Sequence, residues 1–157
     1  VANVIATHDN ELPLRDESFD LVTCRHPIMS WWTEIARVLE PGGAYVAQHV
    51  GAGSGHELTS WFMGPQPVSM ARHHDRARRA ATAVGLDVVD LRAERLPMTF
   101  DDVGAVIYFL RLVIWIVPEF SVERYRDRLR ALHDQIEHAG PFRATSVRFL
   151  IEARKPN

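Results

Sequence analysis

Lysine is nearly missing from this sequence: Lys155 is the only one, and arginine carries the rest of the basic charge. That bias points to GC-rich coding rather than to a partner. An excess of charge of either sign is missing as well. A formal net charge of −2 over 157 residues leaves no bulk pull toward nucleic acid or an acidic membrane surface. Cysteine is equally scarce. Cys24 stands alone, which excludes an internal disulfide and a cysteine-based zinc site, and its place in an apolar run makes it inert core rather than a nucleophile. Long hydrophobic runs are lacking too. The most apolar window, Val103 to Val117, is too short to span a bilayer and contains Arg111, so it suits a buried helix or a lid. With no signal peptide at the start, a cytoplasmic protein is expected.

What is present is 46% hydrophobic, enough to bury a core, and it reads as one domain over residues 1–157. Phe19 to Cys24 (FDLVTC) is a short apolar run with a β-branched centre, consistent with a strand buried on both faces. Ser30 or Thr33 can cap a following helix whose inward stripe is Ile35, Val38 and Leu39. Pro41-Gly42-Gly43 should end that helix, and Ala44 to Gln48 makes the next strand. Further on, the pattern predicts a helix over Val68–Val84 with Met70, Ala77, Ala80, Ala81 and Val84 inward, then a strand over Asp87–Leu96. Asp101-Asp102 opens a helix over Val103–Val113. Ser121 opens another to about His138, with Val122, Tyr125, Leu129, Leu132 and Ile136 on one face, and Ala144–Ala153 is a last strand. Strand, helix, tight turn, strand is half of a doubly wound α/β sheet.

LPLRDESFDLV, EIARVLEPGG and the strand AYVAQ, in that order, resemble the middle of a class I S-adenosylmethionine-dependent methyltransferase. TFDDVGAVIYFL, WIVPEFSVERYRDRL and FLIEARKP look like a bacterial subgroup of that family. The resemblance implies a partial Rossmann-like sheet running from the family's third strand (VANVIAT) onward. It also implies a helical cover over 101–138, inserted before the last strand and facing the substrate. The family's opening strand, Gly-rich turn and acid-ended second strand have no counterpart here. The chain is therefore expected to be the carboxyl-terminal part of a methyltransferase. S-adenosylmethionine would be the cofactor of the complete protein and would not be bound by this chain alone. A cofactor-free remnant acting as an interaction protein is the alternative.

Gly51-Ala52-Gly53-Ser54-Gly55 superficially resembles a nucleotide-binding loop, which requires a helix immediately after it and an acidic strand end about twenty residues on. Gly64, Pro65 and Pro67 interrupt the segment after the triplet, and a substrate-side loop is the preferred reading. Candidate cofactor contacts implied by the resemblance are Asp9 or Asn10, with Glu11 next to them, as acceptors for the adenine amino group, and Arg25 at the end of FDLVTC. His26 is the candidate for orienting the substrate or acting as general base, set against a strand-end histidine held by its neighbours. Gln48, His49, Tyr108 and Trp115 are candidate substrate contacts, whereas Trp31 and Trp32 read as core packing.

His73-His74-Asp75 lies among arginines. Adjacent histidines on a helix diverge and cannot chelate together, so no metal site is expected there. Methyl transfer from a sulfonium needs mainly alignment in a dry pocket, so no triad or metal cluster is required. The expected acceptor is a small, apolar or aromatic molecule. An exposed edge at FDLVTC would invite homodimerisation, and neither nucleic acid nor membrane is an expected partner.

Overall fold

The computed structural model of the protein describes residues 11–157, so the strand expected at VANVIAT and the candidates Asp9 and Asn10 lie outside the described residues. Chain order is β1 (Phe19–Arg25), α1 (Trp32–Val38), β2 (Leu39–Val50), α2 (His56–Met63), a 3-10 turn (Met70–Arg72), α3 (His74–Ala83), β3 (Asp87–Phe100), α4 (Val103–Leu112), α5 (Arg126–Ala139) and β4 (Phe142–Arg154). The sheet order is β1-β2-β4-β3. β1 and β2 are parallel, as the crossover through α1 requires, and β4 pairs antiparallel to β2 from Ala44↔Arg154 to Val50↔Arg148. This mixed open sheet is the α/β class that the sequence pattern implies.

Two compact units divide the chain. The first comprises residues up to Gly51 with Ala71–Glu94 and Arg148–Asn157, and the second comprises Ala52–Met70 with Arg95–Val147. In the first unit, α1 and α3 send Ile35 and Ala81 onto one face of the sheet, where they meet Tyr45, Ala47, Phe149, Ile151 and Ala153. The opposite face is barely covered among the described residues, and Leu21, Val46 and Leu150 on it are exposed. β1 is therefore not buried on both faces. Val22 and Cys24 are half-buried against the core, while Leu21 and Thr23 face outward, because the covering helices lie on one side only. Among the described residues β1 is the first strand of the sheet order.

Pro41-Gly42-Gly43 does not end the helix. α1 stops at Val38 and Leu39 is already extended at φ −69°, ψ 134°. Phe19 pairs with Leu39 and Leu21 with Ala44, so Glu40–Gly43 forms an irregularity within β2. Gly42 sits there at φ +79° and donates its N–H to the Lys155 carbonyl at 2.9 Å. A Cβ at Gly43 would come within 2.9 Å of the Glu40 carbonyl oxygen and 3.0 Å of that of Phe19. The glycines serve the strand rather than a helix cap.

The second unit packs Leu58 and Phe62 of α2, Val106 and Leu110 of α4, Leu129, Leu132 and Ile136 of α5, and Phe100, Ile116, Phe142 and Ala144 into one core. Asp102 caps α4 as expected, accepting from the Ala105 N–H at 2.8 Å. α5 begins at Arg126 rather than Ser121, although Ser121 Oγ does accept from the Arg124 N–H at 3.1 Å. That bond closes a turn ahead of the helix instead of capping it. α3 likewise begins at His74 and not Val68, leaving Met70 exposed in the preceding turn instead of inward.

Candidate functional site

The carboxyl ends of β1 and β2 lie side by side because the strands are parallel, with Arg25 opposite Gln48. One residue on, the chain leaves the strand at His26, which takes φ +53° and donates its backbone N–H to the Gln48 carbonyl at 2.7 Å. Arg25, His26 and Gln48 are thus gathered at one rim, where the sequence placed them. The His26 imidazole is held below its usual pKa by partial loss of water, then by Arg148 and Arg25, against a hydrogen bond with the Gln48 side chain. A ring kept neutral in this way presents a free lone pair and can accept a proton or a hydrogen bond. Arg148 is itself lowered by burial and by Arg25.

Gln48 and His49 do not share a surface. Neighbours on a strand point to opposite faces, and His49 turns toward the side covered by α1 and α3, where it is 8% exposed. There its ring stacks on Phe149 (centroids 4.6 Å apart, 7° between planes) and lies parallel to Trp32 at 6.5 Å. Nε2 is 3.5 Å from the Tyr45 hydroxyl. Burial pushes the His49 pKa down to about 4. Trp32 both packs against the core and lines a cleft of about 280 Å³, whose other walls are Pro27–Ser30, His49, Val50, Phe149, the Ala71–His73 turn, Arg76, Ala77 and Ala80.

Tyr108 and Trp115 belong to the second unit. There they are 69% and 49% exposed, alongside the exposed Leu112 and Ile114, and neither joins the core. Gly53 and Gly55 of the glycine triplet lie in this unit as well, whereas Gly51 belongs to the first. A helix, α2, does follow the triplet directly, against expectation, and two backbone bonds tie down the end of the loop. The Gly55 N–H donates to the Thr145 carbonyl at 2.8 Å, and the His56 N–H donates to the Gly53 carbonyl at 3.2 Å. Glu57 then accepts from both the Thr145 N–H and hydroxyl. These bonds stitch the end of the loop to β4, and no strand follows α2 before α3, so the acid-ended strand that a nucleotide-binding loop needs is not in place.

His73 and His74 do not diverge. His73 is the N-cap of α3 with extended φ and ψ, so it lies outside the helix, and its ring stacks on that of His74 at 4.1 Å. With Asp75, their ligand atoms fall within 4.8 Å of one another. His73 Nδ1 is nonetheless used by the fold, accepting from the Asp75 N–H at 3.3 Å.

A constellation that sequence reasoning did not single out joins the LPLRDES segment to α1. All five guanidinium N–H groups of Arg37 have acceptors: both Glu34 carboxylate oxygens, the Leu12 and Leu14 carbonyls and the Asp16 carboxylate. Glu34 also accepts from the Leu12 N–H at 2.7 Å. The Arg37 and Leu12 bonds hold the Glu34 carboxyl at a pKa of about 2.

Residues 2–47 match the family model described as a methyltransferase domain. That segment is methyltransferase-like in sequence, and the chain is methyltransferase-like in fold. It superposes on a Bacillus halodurans C-125 protein provisionally titled a methyltransferase, at TM-score 0.61 and 16% identity, over 94% of this chain and 69% of that one. The YcgJ protein of Bacillus subtilis gives TM-score 0.57 and 19% identity over 94% and 68%. A SAM-dependent methyltransferase of Methanosarcina mazei gives 0.51 and 12% over 94% and 64%. At these identities the likeness concerns the fold. No curated protein matches the chain. Among the described residues no helix is long and apolar enough to cross a membrane.

Proposed function

We propose that this chain is the acceptor-side portion of an S-adenosylmethionine-dependent methyltransferase acting on a small apolar or aromatic molecule. The observation that carries the reading is the β1–α1–β2 unit, in which the methyltransferase-like segment folds so that His26 and Gln48 meet at the carboxyl ends of two parallel strands. Ligands of open α/β sheets sit at that end of the strands. His26, neutral and hydrogen-bonded to Gln48, orients the acceptor or takes its proton. Tyr108 and Trp115, exposed within the 101–138 cover of the second unit, are apolar ligand contacts of that unit.

The described residues do not by themselves fit the cofactor. Among the described residues no glycine-rich turn is followed by a helix and then directly by an acid-ended strand, the arrangement that would seat it. We therefore derive no step through the cofactor. Its adenine contact is assigned to Asp9 or Asn10, and the isolated chain is taken to bind it negligibly. We also assign the β1 edge to homodimer contact in a cytoplasmic protein.

The test is transfer of a labelled methyl group from S-adenosylmethionine to a panel of small acceptors, run with this chain alone and with any in-frame upstream sequence joined to it. Transfer that appears only in the longer protein, and is lost in His26→Ala, supports the proposal. Micromolar cofactor affinity of the shorter chain in calorimetry would refute the division of labour. A longer protein that binds no cofactor would leave an interaction protein as the reading.

A further inference from the structure

We propose that the cleft of the first unit is a binding site for a planar aromatic carboxylate. Its walls combine two chemistries. One side is aromatic, with Trp32, His49 and Phe149 held nearly parallel, and Ala77 and Ala80 leave room opposite for a flat ring. The other chemistry is cationic. Among the described residues that line the cleft, Arg76 and Arg72 are the cations and none is an aspartate or glutamate. The nearest acid in sequence, Asp75, is not among the lining residues. The amino-terminal turn of α3 adds the positive end of a helix dipole on the same side.

Size and geometry select the ligand further. A cleft of about 280 Å³ lies at the small end of small-molecule sites and suits a single ring with a short substituent. An apolar, aromatic wall penalises a strongly hydrated phosphate. A guanidinium fork matches a carboxylate through two parallel hydrogen bonds. Ile28 and Met29, apolar and largely exposed at the lip, are placed to fold against the ring's outer face. As a binding site the cleft stands on its own geometry. As the acceptor site of methyl transfer it rests on the reading above.

The experiment titrates benzoate into the full chain and follows amide and side-chain shifts by NMR, with benzamide and inorganic phosphate as parallel probes. Benzoate should perturb the Trp32 indole and the Ala77 and Ala80 amides, with benzamide about ten-fold weaker, as expected when a charged hydrogen bond becomes neutral. Phosphate should leave the indole unmoved. Arg76→Gln should weaken benzoate by a similar factor with an unchanged melting temperature, and Arg76→Lys should recover part of the loss. Equal binding of benzamide, equal competition by phosphate, or an unaffected Arg76→Gln variant each overturns the proposal. If benzoate binds as described but is never methylated by the longer protein, the site stands and its link to methyl transfer fails.

Discussion

Gly55→Ala puts two separate costs on one residue, and they can be measured apart. Gly55 is the N-cap of α2 at φ +70°, ψ 15°, a left-handed conformation that costs an L-residue about 1–2 kcal/mol. The added Cβ would lie 2.5 Å from Ile116 Cδ1 but 3.5 and 3.7 Å from Cγ1 and Cγ2, so only the terminal carbon is in the way. Ile116 is buried in the second unit's core, and forcing its end aside adds about 1 kcal/mol. The expected loss in urea denaturation is about 2–3 kcal/mol for the single change. Ile116→Val removes the offending carbon and alone costs about 0.5–1.5 kcal/mol. Combined with Gly55→Ala, its cost should nearly vanish, giving a coupling of about 1 kcal/mol in the double-mutant cycle. Zero coupling would refute the contact, and a neutral Gly55→Ala would refute the left-handed turn. A variant of unchanged stability that loses ligand affinity would return the glycine triplet to the role of a cofactor loop.

Three further outcomes rest on the same geometry. Arg37→Lys should lower the urea midpoint nearly as much as Arg37→Ala, because a lysine ammonium cannot present five donors in a plane to Glu34, Asp16 and two carbonyls; full rescue by lysine would show that charge alone matters. His49 has a pKa of about 4 when folded against 6.5 when free, so the unfolded chain holds the extra proton between those values. Stability should be greatest above 6.5 and fall as pH drops toward 4, and His49→Phe should flatten that fall in urea midpoints measured across the window. Leu132→Ala, in a fully buried position of α5, should cost about 2–5 kcal/mol, and a loss below about 1 kcal/mol would mean that the α5 face is loosely packed.

The parts of the fold legible in the sequence are those whose signal is local. α4 is bounded by a capping aspartate, and α5 ends at a glycine, Gly140, that takes φ +87°. Leu129, Leu132 and Ile136 fall on the buried face that helical spacing implies. Errors arise where two local signals compete. Ser121 offers a cap three residues before Arg124, but the same bond closes a simple turn, and only packing of Tyr125 and Leu129 decides where α5 begins. α2 is hidden because Gly64, Pro65 and Pro67 dominate that segment. Yet Leu58 and Phe62, four apart and ahead of those breakers, are the available sign of a buried helical stripe. β1 reads as doubly buried since an apolar run does not say which faces have helices over them.

The site divides along a similar line. That Arg25, His26 and Gln48 meet at one rim follows from the parallel crossover, which the strand-helix-turn-strand pattern encodes. That Gln48 and His49 face opposite sides follows from the pleat and is equally available. The cleft is not, because it joins the segment after β1 to the start of α3, some forty positions later in the chain, and no spacing rule links them. Arg37 lies between these cases. Its partners Leu12, Leu14 and Asp16 belong to one of the segments that resemble a methyltransferase, while Arg37 and Glu34 belong to another. Two pieces of sequence that look like independent hints are one physical object, a guanidinium holding the LPLRDES loop against α1. A loop fixed there enters β1 at a set height, which in turn fixes where β1 ends and where His26 stands. The resemblance thus has a mechanical side in this chain: Leu12, Leu14, Asp16, Glu34 and Arg37 brace the approach to β1, while Gln48, from the third matching segment, stands at the rim itself.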